Sequence, residues 1–256
     1  MDAILAGMPL WLIVTAVGIT LFAGFVKGAV GFAFPMIVLS GLGSFLPAET
    51  ALAILILPTV VTNVFQAFRQ GLGAALVVVR RYWLFLLIMV AFLVSSAQLV
   101  AIIPESVLLV LVGVPMVLFA ILQLSRWTLN LRPGTRTRDE LLIGGFAGFI
   151  GGMSGSWGPP TVLYLTAIGA EKSEAMRAQG VIYGIGAVAL LAAHLQSGVL
   201  NAATIPLSAA ALVPALAGMA LGLRVHDRMP QSTFRRAMLV VLLFAGLNLV
   251  RRGLML

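Results

Sequence analysis

The sequence predicts an all-α polytopic membrane protein made of two inverted repeats of about five hydrophobic units each. Three observations carry that expectation. The 256 residues are 61% hydrophobic and 9% charged, a balance that no soluble domain of this size can cover with polar surface, so the solvent is lipid. Residues 22–39, FAGFVKGAVGFAFPMIVL, reappear in outline at residues 146–163, FAGFIGGMSGSWGPPTVL. An odd number of units per half then makes the second half enter the membrane from the opposite side.

The repeat is closest around its glycines. Phe22, Ala23, Gly24 and Phe25 match Phe146, Ala147, Gly148 and Phe149. Gly28, Gly31 and Pro35 fall on Gly152, Gly155 and Pro159 with no gap. A glycine-broken apolar segment carried once per half is the pattern of secondary transporters, whose interrupted segments meet near mid-membrane and form the substrate site.

Charges, prolines and glycine breaks mark the units in order. Unit one, 9–26, lies between Asp2 and Lys27 and has no basic residues ahead of it, so it does not read as a signal peptide. Unit two is 28–46, and unit three, 49–68, runs from Glu49 to Arg69. Unit four, 82–103, follows Arg80 and Arg81; unit five, 104–126, follows Ile103 with Pro104 and Glu105. The polar stretch Arg126–Glu140 separates the halves, giving an N-terminal membrane repeat at 1–126, a cytoplasmic linker at 127–140 and a C-terminal membrane repeat at 141–256. Units 141–157 and 158–170 are separated by Gly158-Pro159-Pro160; the first is crowded with glycine and the second is too short to span. The first two units of each repeat are therefore read as broken or re-entrant, or as two full spans. The remaining units are 175–197, 203–222 and 233–250.

Charge placement sets the orientation. With the N-terminus on one side, the other side receives Arg69, Arg80, Arg81, the four linker arginines, Lys172, Arg177, Arg224, Arg228, Arg235 and Arg236. The first side receives Asp2, Glu49, Glu105, Arg251 and Arg252. The positive-inside rule puts the basic side in the cytoplasm and both termini outside. Fusing the broken pairs into single spans gives eight helices and leaves Arg224, Arg228, Arg235 and Arg236 outside, a poorer fit. Trp11, Trp83 and Trp127 suit the interfacial aromatic belt. His194 is read as interfacial.

Several chemistries are disfavoured. Cysteine is absent, removing disulfides, thiolate ligands and thiol nucleophiles. With two histidines and no clustered carboxylates, a membrane-embedded enzyme lacks its acid, base and metal ligands. A channel would need a ring of repeated charges. No cofactor and no metal is expected, and the basic pI near 11.3 reports membrane orientation rather than nucleic-acid binding. All eight Asp and Glu fall in termini, turns or loops, leaving no intramembrane carboxylate to couple an ion.

The candidate substrate-binding residues are Lys27, Gly28, Gly31, Asn63, Gln66, Gly152, Ser154, Gly155, Ser156, Trp157, Gln179 and Tyr183. Glycine runs either pack helices closely or unwind, aiming free N–H groups at an anion. Lys27 either snorkels to headgroups or lies within the membrane, where an ammonium is costly without an anion or polar cavity. Thr62, Asn63 and Gln66 share one helix face, as do Gln179 and Tyr183, in the units that directly follow the breaks. Each such polar residue serves either an interhelical hydrogen bond or a ligand. The partners expected are a small anionic substrate and the lipid bilayer, with exposed small-residue faces that permit a homodimer.

The two glycine-rich breaks, the acidic residue after each (Glu49, Glu174) and the basic central loop resemble the sulfite exporter TauE/SafE family of membrane permeases, over essentially the whole chain. The resemblance implies movement of sulfur-containing anions such as sulfite and organosulfonates across a bacterial inner membrane. It places Lys27, Gly28, Gly31, Pro35, Gly152, Gly155 and Pro159 at the motif positions. The competing readings are proton-linked uptake of a small organic anion such as a carboxylate, or an embedded enzyme.

Overall fold

A computed structural model describes residues 9–68, 71–125, 131, 134–226 and 231–256. Expectations placed on Asp2, Arg69, Arg126, Trp127, Arg132 and Arg228 lie outside the described residues. Every regular element described is helical. The first half holds α1 (Leu10–Val30), α2 (Phe34–Leu42), α3 (Ala48–Phe68), α4 (Leu72–Arg81), α5 (Trp83–Ala97, continued by a 3-10 turn at Gln98–Ala101) and α6 (Glu105–Leu124). The second holds α7 (Arg136–Ser154), α8 (Gly158–Ala167), α9 (Lys172–Gln196), α10 (Ile205–Ala210), α11 (Leu212–His226) and α12 (Gln231–Met255). Among the described residues six helical stretches are long and apolar enough to cross a membrane: α1, α3, α5 with its 3-10 turn, α6, α9 and α10 joined to α11. The chain is a membrane protein with multiple apolar helices.

The ten hydrophobic units are not ten spanning helices. Units two and seven contain α2, of 9 residues, and α8, of 10 residues. At ~1.5 Å per residue each covers about half of a ~30 Å hydrocarbon core. Both fold back along the preceding helix. A Cβ added at Gly41 in α2 would meet the Ile19 side chain of α1 at 2.8 Å. Just beyond α2, the ring of Phe45 stands 5.9 Å from Trp11 at the start of α1. Likewise the Tyr164 hydroxyl near the end of α8 donates to Glu140 Oε1 at the start of α7, at 2.8 Å.

Two further boundaries differ from the sequence reading. The last five residues of the polar stretch are helical, because α7 starts at Arg136. The basic loop 69–81 contains α4, whose Leu72, Leu76 and Val77 are exposed. A helix of ten residues that ends in two arginines falls below the length at which an apolar run signals a span.

The core is assembled between the halves. Helix α11 packs along α1, α7 along α5, α12 along α6 and α9 along α3. Glycine makes the closest of these contacts. A Cβ at Gly24 or Gly28 would lie 2.2 Å from the backbone oxygen of Ala215 or Met219 on α11. A Cβ at Gly148 would lie 2.1 Å from the Met89 oxygen on α5, and one at Gly152 would lie 2.2 Å from the Leu93 oxygen. The helices touch backbone to backbone, which only glycine permits.

Polar contacts gather at two ends. At one, Glu105 Oε1 accepts from the Ala48 amide at 3.1 Å and pairs with Arg252 Nη2 at 3.5 Å, while Asn248 Nδ2 donates to Ser44 Oγ at 2.8 Å. At the other, Glu174 Oε1 pairs with Arg81 Nε at 3.1 Å and accepts from the Tyr82 hydroxyl at 2.6 Å. Burial, and then the bond to Glu174, push the Tyr82 phenol up to about 12, which keeps it a donor. Beside them Arg136 Nε donates to Glu140 Oε1 at 2.8 Å, and its Nη2 donates to the Arg81 carbonyl at 2.6 Å. Glu140 is thus buried, contrary to the expectation that all acidic residues lie in loops and termini. It sits in the first turns of α7 with an arginine and a tyrosine as partners. A fifteen-residue α5 and its 3-10 turn lead from the second end to the first.

Candidate functional site

The repeated sequence segment folds twice into the same backbone break. Helix α1 ends at Val30 and α7 at Ser154; α2 restarts at Phe34 and α8 at Gly158, at the offset of the sequence repeat. Gly31 caps the first break with φ 89° and Gly155 the second with φ 69°. These left-handed conformations suit glycine, which lacks the Cβ that would clash. In each case the cap amide donates back to the helix at 2.7 Å, Gly31 to the Lys27 carbonyl and Gly155 to the Gly151 carbonyl. Ala33, with φ 78°, holds the same conformation without that freedom, a strain of ~1–2 kcal/mol.

The two breaks meet. A Cβ added at Gly155 would lie 3.4 Å from Pro35 Cβ, and one at Gly158 would lie 3.8 Å from Phe32 Cβ. Helix α3 touches both: Leu55 reaches Gly155, and Gln66 Nε2 would be 3.6 Å from a Cβ at Gly31. Helix α9 closes the second break, where the Tyr183 hydroxyl donates to the Gly158 carbonyl at 3.2 Å.

Lys27 lies in the interior rather than snorkelling to a surface. It is 3% exposed, and its Nζ donates to Asn63 Oδ1 on α3, itself 3% exposed. Among the described residues no carboxylate pairs with it; the ion pairs involve Arg81, Arg136 and Arg252. A buried lysine whose partner is a neutral amide keeps its charge only where an anion or a polar cavity offsets the cost.

The other candidates separate into groups. Gly28 and Gly152 face α11 and α5 at backbone contact, so close packing accounts for both. Gln66 is half-buried beside Gly31. Ser154 Oγ donates to the Ile150 carbonyl at 2.7 Å and accepts from the Ser156 amide at 3.2 Å, bracing the turn. Trp157 is buried with its ring filling the space left by Gly151 and Gly186. Gln179 is half-buried, one turn before Tyr183 on α9.

His194 has a partner that the sequence reading lacks. It is fully buried in the last turn of α9, with Nε2 2.8 Å from the Gly152 carbonyl and Nδ1 3.1 Å from Ser197 Oγ. A carbonyl only accepts, so Nε2 carries a proton, and the ring caps an otherwise orphan carbonyl of the last turn of α7. Its position near the end of a hydrophobic run disguised it.

Three prolines limit the donors that the two helix starts present. At the start of α8, Pro159 and Pro160 have no N–H, and Pro35 removes one at the start of α2. Phe34, Met36 and Gly158 keep their backbone N–H at these helix starts.

No curated protein and no solved structure matches the chain. The family described as Sulfite exporter TauE/SafE matches residues 16–249, from within α1 to within α12 and across both breaks. The chain belongs to the sulfite exporter TauE/SafE family of membrane permeases.

Proposed function

We propose that the chain is an inner-membrane carrier that exports a small oxoanion, sulfite or an organosulfonate, through a site where the two glycine-capped breaks meet. The observation that supports this best is Lys27, a buried cation with an amide partner, placed on the last turn before the first break. An anion supplies the charge that Asn63 cannot. Lys27, Asn63 and Gly31 form one side of the site, with Gln66 beside them; Gly155, Ser156, Trp157 and Tyr183 form the other. Gly28, Gly152 and Ser154 hold the breaks in place, and Gln179 extends the face of α9.

Lys27, Asn63 and Trp157 are each 3% exposed or less. Substrate reaches them only when the elements around the breaks move apart, as alternating access requires. The family membership and the shortage of acid, base and metal ligands favour a carrier over an enzyme. Solute counterflow of sulfite in proteoliposomes tests this: a carrier accumulates label transiently against its gradient. Absence of counterflow with leak-like flux would mean a channel, and absence of flux an enzyme or another substrate.

We further propose that the halves are inverted repeats, residues 1–126 and 141–256, joined by a cytoplasmic linker. The exchange of packing partners between halves supports this, since α1 lies on α11 as α7 lies on α5. So does the placement of the α1 start with Phe45 at one end and the α7 start with Arg81 at the other. Arg80, Arg81, Arg136 and Arg138 would then face the cytoplasm and both termini the outside. A reporter fused at Leu256 that works only in the cytoplasm is expected to stay silent; activity would contradict the inverted arrangement.

The membrane potential is the simplest driver. One charge is worth ~2.3 kcal/mol per 100 mV, so an inside-negative ~150 mV favours monoanion efflux by ~3.5 kcal/mol. That corresponds to several hundred-fold in concentration.

A further inference from the structure

Among the described residues, five helical threonines follow one habit. Thr15, Thr20, Thr62, Thr161 and Thr166 each donate their hydroxyl to the carbonyl four residues earlier, at 2.6 to 2.8 Å. This satisfies the hydroxyl within its own helix. Thr59 departs from the habit. It is 1% exposed, and its Oγ has no hydrogen-bond partner.

The polar groups around Thr59 on α3 are otherwise satisfied. Pro58 has no N–H, which releases the Ile54 carbonyl; Ser208 Oγ donates to it at 3.1 Å and accepts from the Leu57 amide at 3.1 Å. Thr62 bonds to the Pro58 carbonyl, and Asn63 accepts from Lys27. Thr59 is left as an orphan in a helix whose other irregularity is answered. A buried polar group without a partner is rare in native structures, and each calls for an explanation.

Its place in the helix supplies one. Leu55, Thr59, Asn63 and Gln66 follow one another at four-, four- and three-residue steps, so they share one face of α3. Leu55 reaches Gly155 of the second break, while Asn63 holds Lys27 and Gln66 stands at Gly31 of the first. Thr59 therefore lies on the stripe between the two breaks, one turn from the residue that holds the buried cation.

We propose that Thr59 is a substrate-binding residue, whose hydroxyl donates a hydrogen bond to an oxygen of the anion while Lys27 carries the opposing charge. This rests on the site reading above and deepens it. An ammonium answers charge with little regard to direction, whereas a hydroxyl fixed in a helix favours an oxygen at one distance and angle. The pair selects an oxoanion in one orientation. The sequence does not show it, because threonine in a helix is ordinary and only its missing partner distinguishes Thr59.

The test is sulfite transport by Thr59→Val, Thr59→Ser and Lys27→Ala in proteoliposomes, with thermal melting of each purified variant with and without sodium sulfite. Valine keeps the shape of threonine and removes the hydroxyl. The expected result is about a tenfold rise in the KM of Thr59→Val for sulfite. Thr59→Ser should restore the value to within about twofold, since a small change in donor geometry alters little. Without sulfite, Thr59→Val should melt no lower than the parent, because no hydrogen bond is lost, and the upward shift caused by sulfite should shrink. A parental KM in Thr59→Val overturns the proposal, as does an equal loss in Thr59→Ser, which would indicate packing. If Lys27→Ala is impaired and Thr59→Val is not, the inference about Thr59 alone fails. If neither is impaired, the site itself is misplaced and both readings fall. If valine does not fold, Thr59→Ala gives the same comparison against serine.

Discussion

Lys27→Ala is expected to lower the apparent affinity for sulfite by about tenfold to a hundredfold. The magnitude follows from a charge-assisted hydrogen bond of ~1.5–3 kcal/mol, at ~1.4 kcal/mol per decade. Removing the ammonium also leaves Asn63 Oδ1, buried on α3, without its donor. Lys27→Met loses the same charge and the same donor but fills the space of the lysine stem, so it separates those losses from the cavity that alanine leaves. Both variants should raise KM far more than they depress folding, read as the amount of monodisperse protein and its melting midpoint. Normal affinity in the methionine variant would make Lys27 a structural residue and return the anion site to the open question of where charge is met.

The second large effect lies in the glycine contacts. Gly148→Ala is expected to destabilise the protein by ~1–3 kcal/mol through overpacking, because its Cβ would lie 2.1 Å from the Met89 oxygen. Backbone has little freedom to yield there. Gly18→Ala is the control, since nothing lies within 4 Å of a Cβ at that position of α1. It should instead gain ~0.5–1 kcal/mol from helix propensity. Melting of the two detergent-purified variants gives the comparison. Equal midpoints would mean that α5 and α7 are not held backbone to backbone.

These two results bear on what was legible in the sequence. Matching Gly31 with Gly155 placed both breaks correctly, because a left-handed cap followed by a proline-bearing helix start leaves a local signature. The same letters hid a division of labour. Gly24, Gly28, Gly148 and Gly152 pack helices, whereas Gly31 and Gly155 turn the chain, and spacing alone cannot separate a helix-facing glycine from a cap. The lengths of α2 and α8 were obscured because apolar loop residues extend each hydrophobic run past its helix. Lys27 stands out by its apolar surroundings, but its burial rests on Asn63 of a distant helix, which no local pattern shows. Glu140 looked like a loop carboxylate because Arg136 and Tyr164, which satisfy it, come from one turn before it and from the far end of the next helix. His194 depends on a contact with distant Gly152, and Thr59 is set apart by the lack of any hydrogen-bond partner. Such features are properties of packing, and no local pattern carries them.

The most direct measurement is sulfite flux into proteoliposomes under an imposed potential with no pH gradient. The account predicts label accumulating in vesicles held inside-positive, collapse of that accumulation when the potential is dissipated, and its loss in Lys27→Ala. Flux that ignores the potential and follows an imposed pH gradient would contradict potential-driven export and point to proton-linked uptake instead.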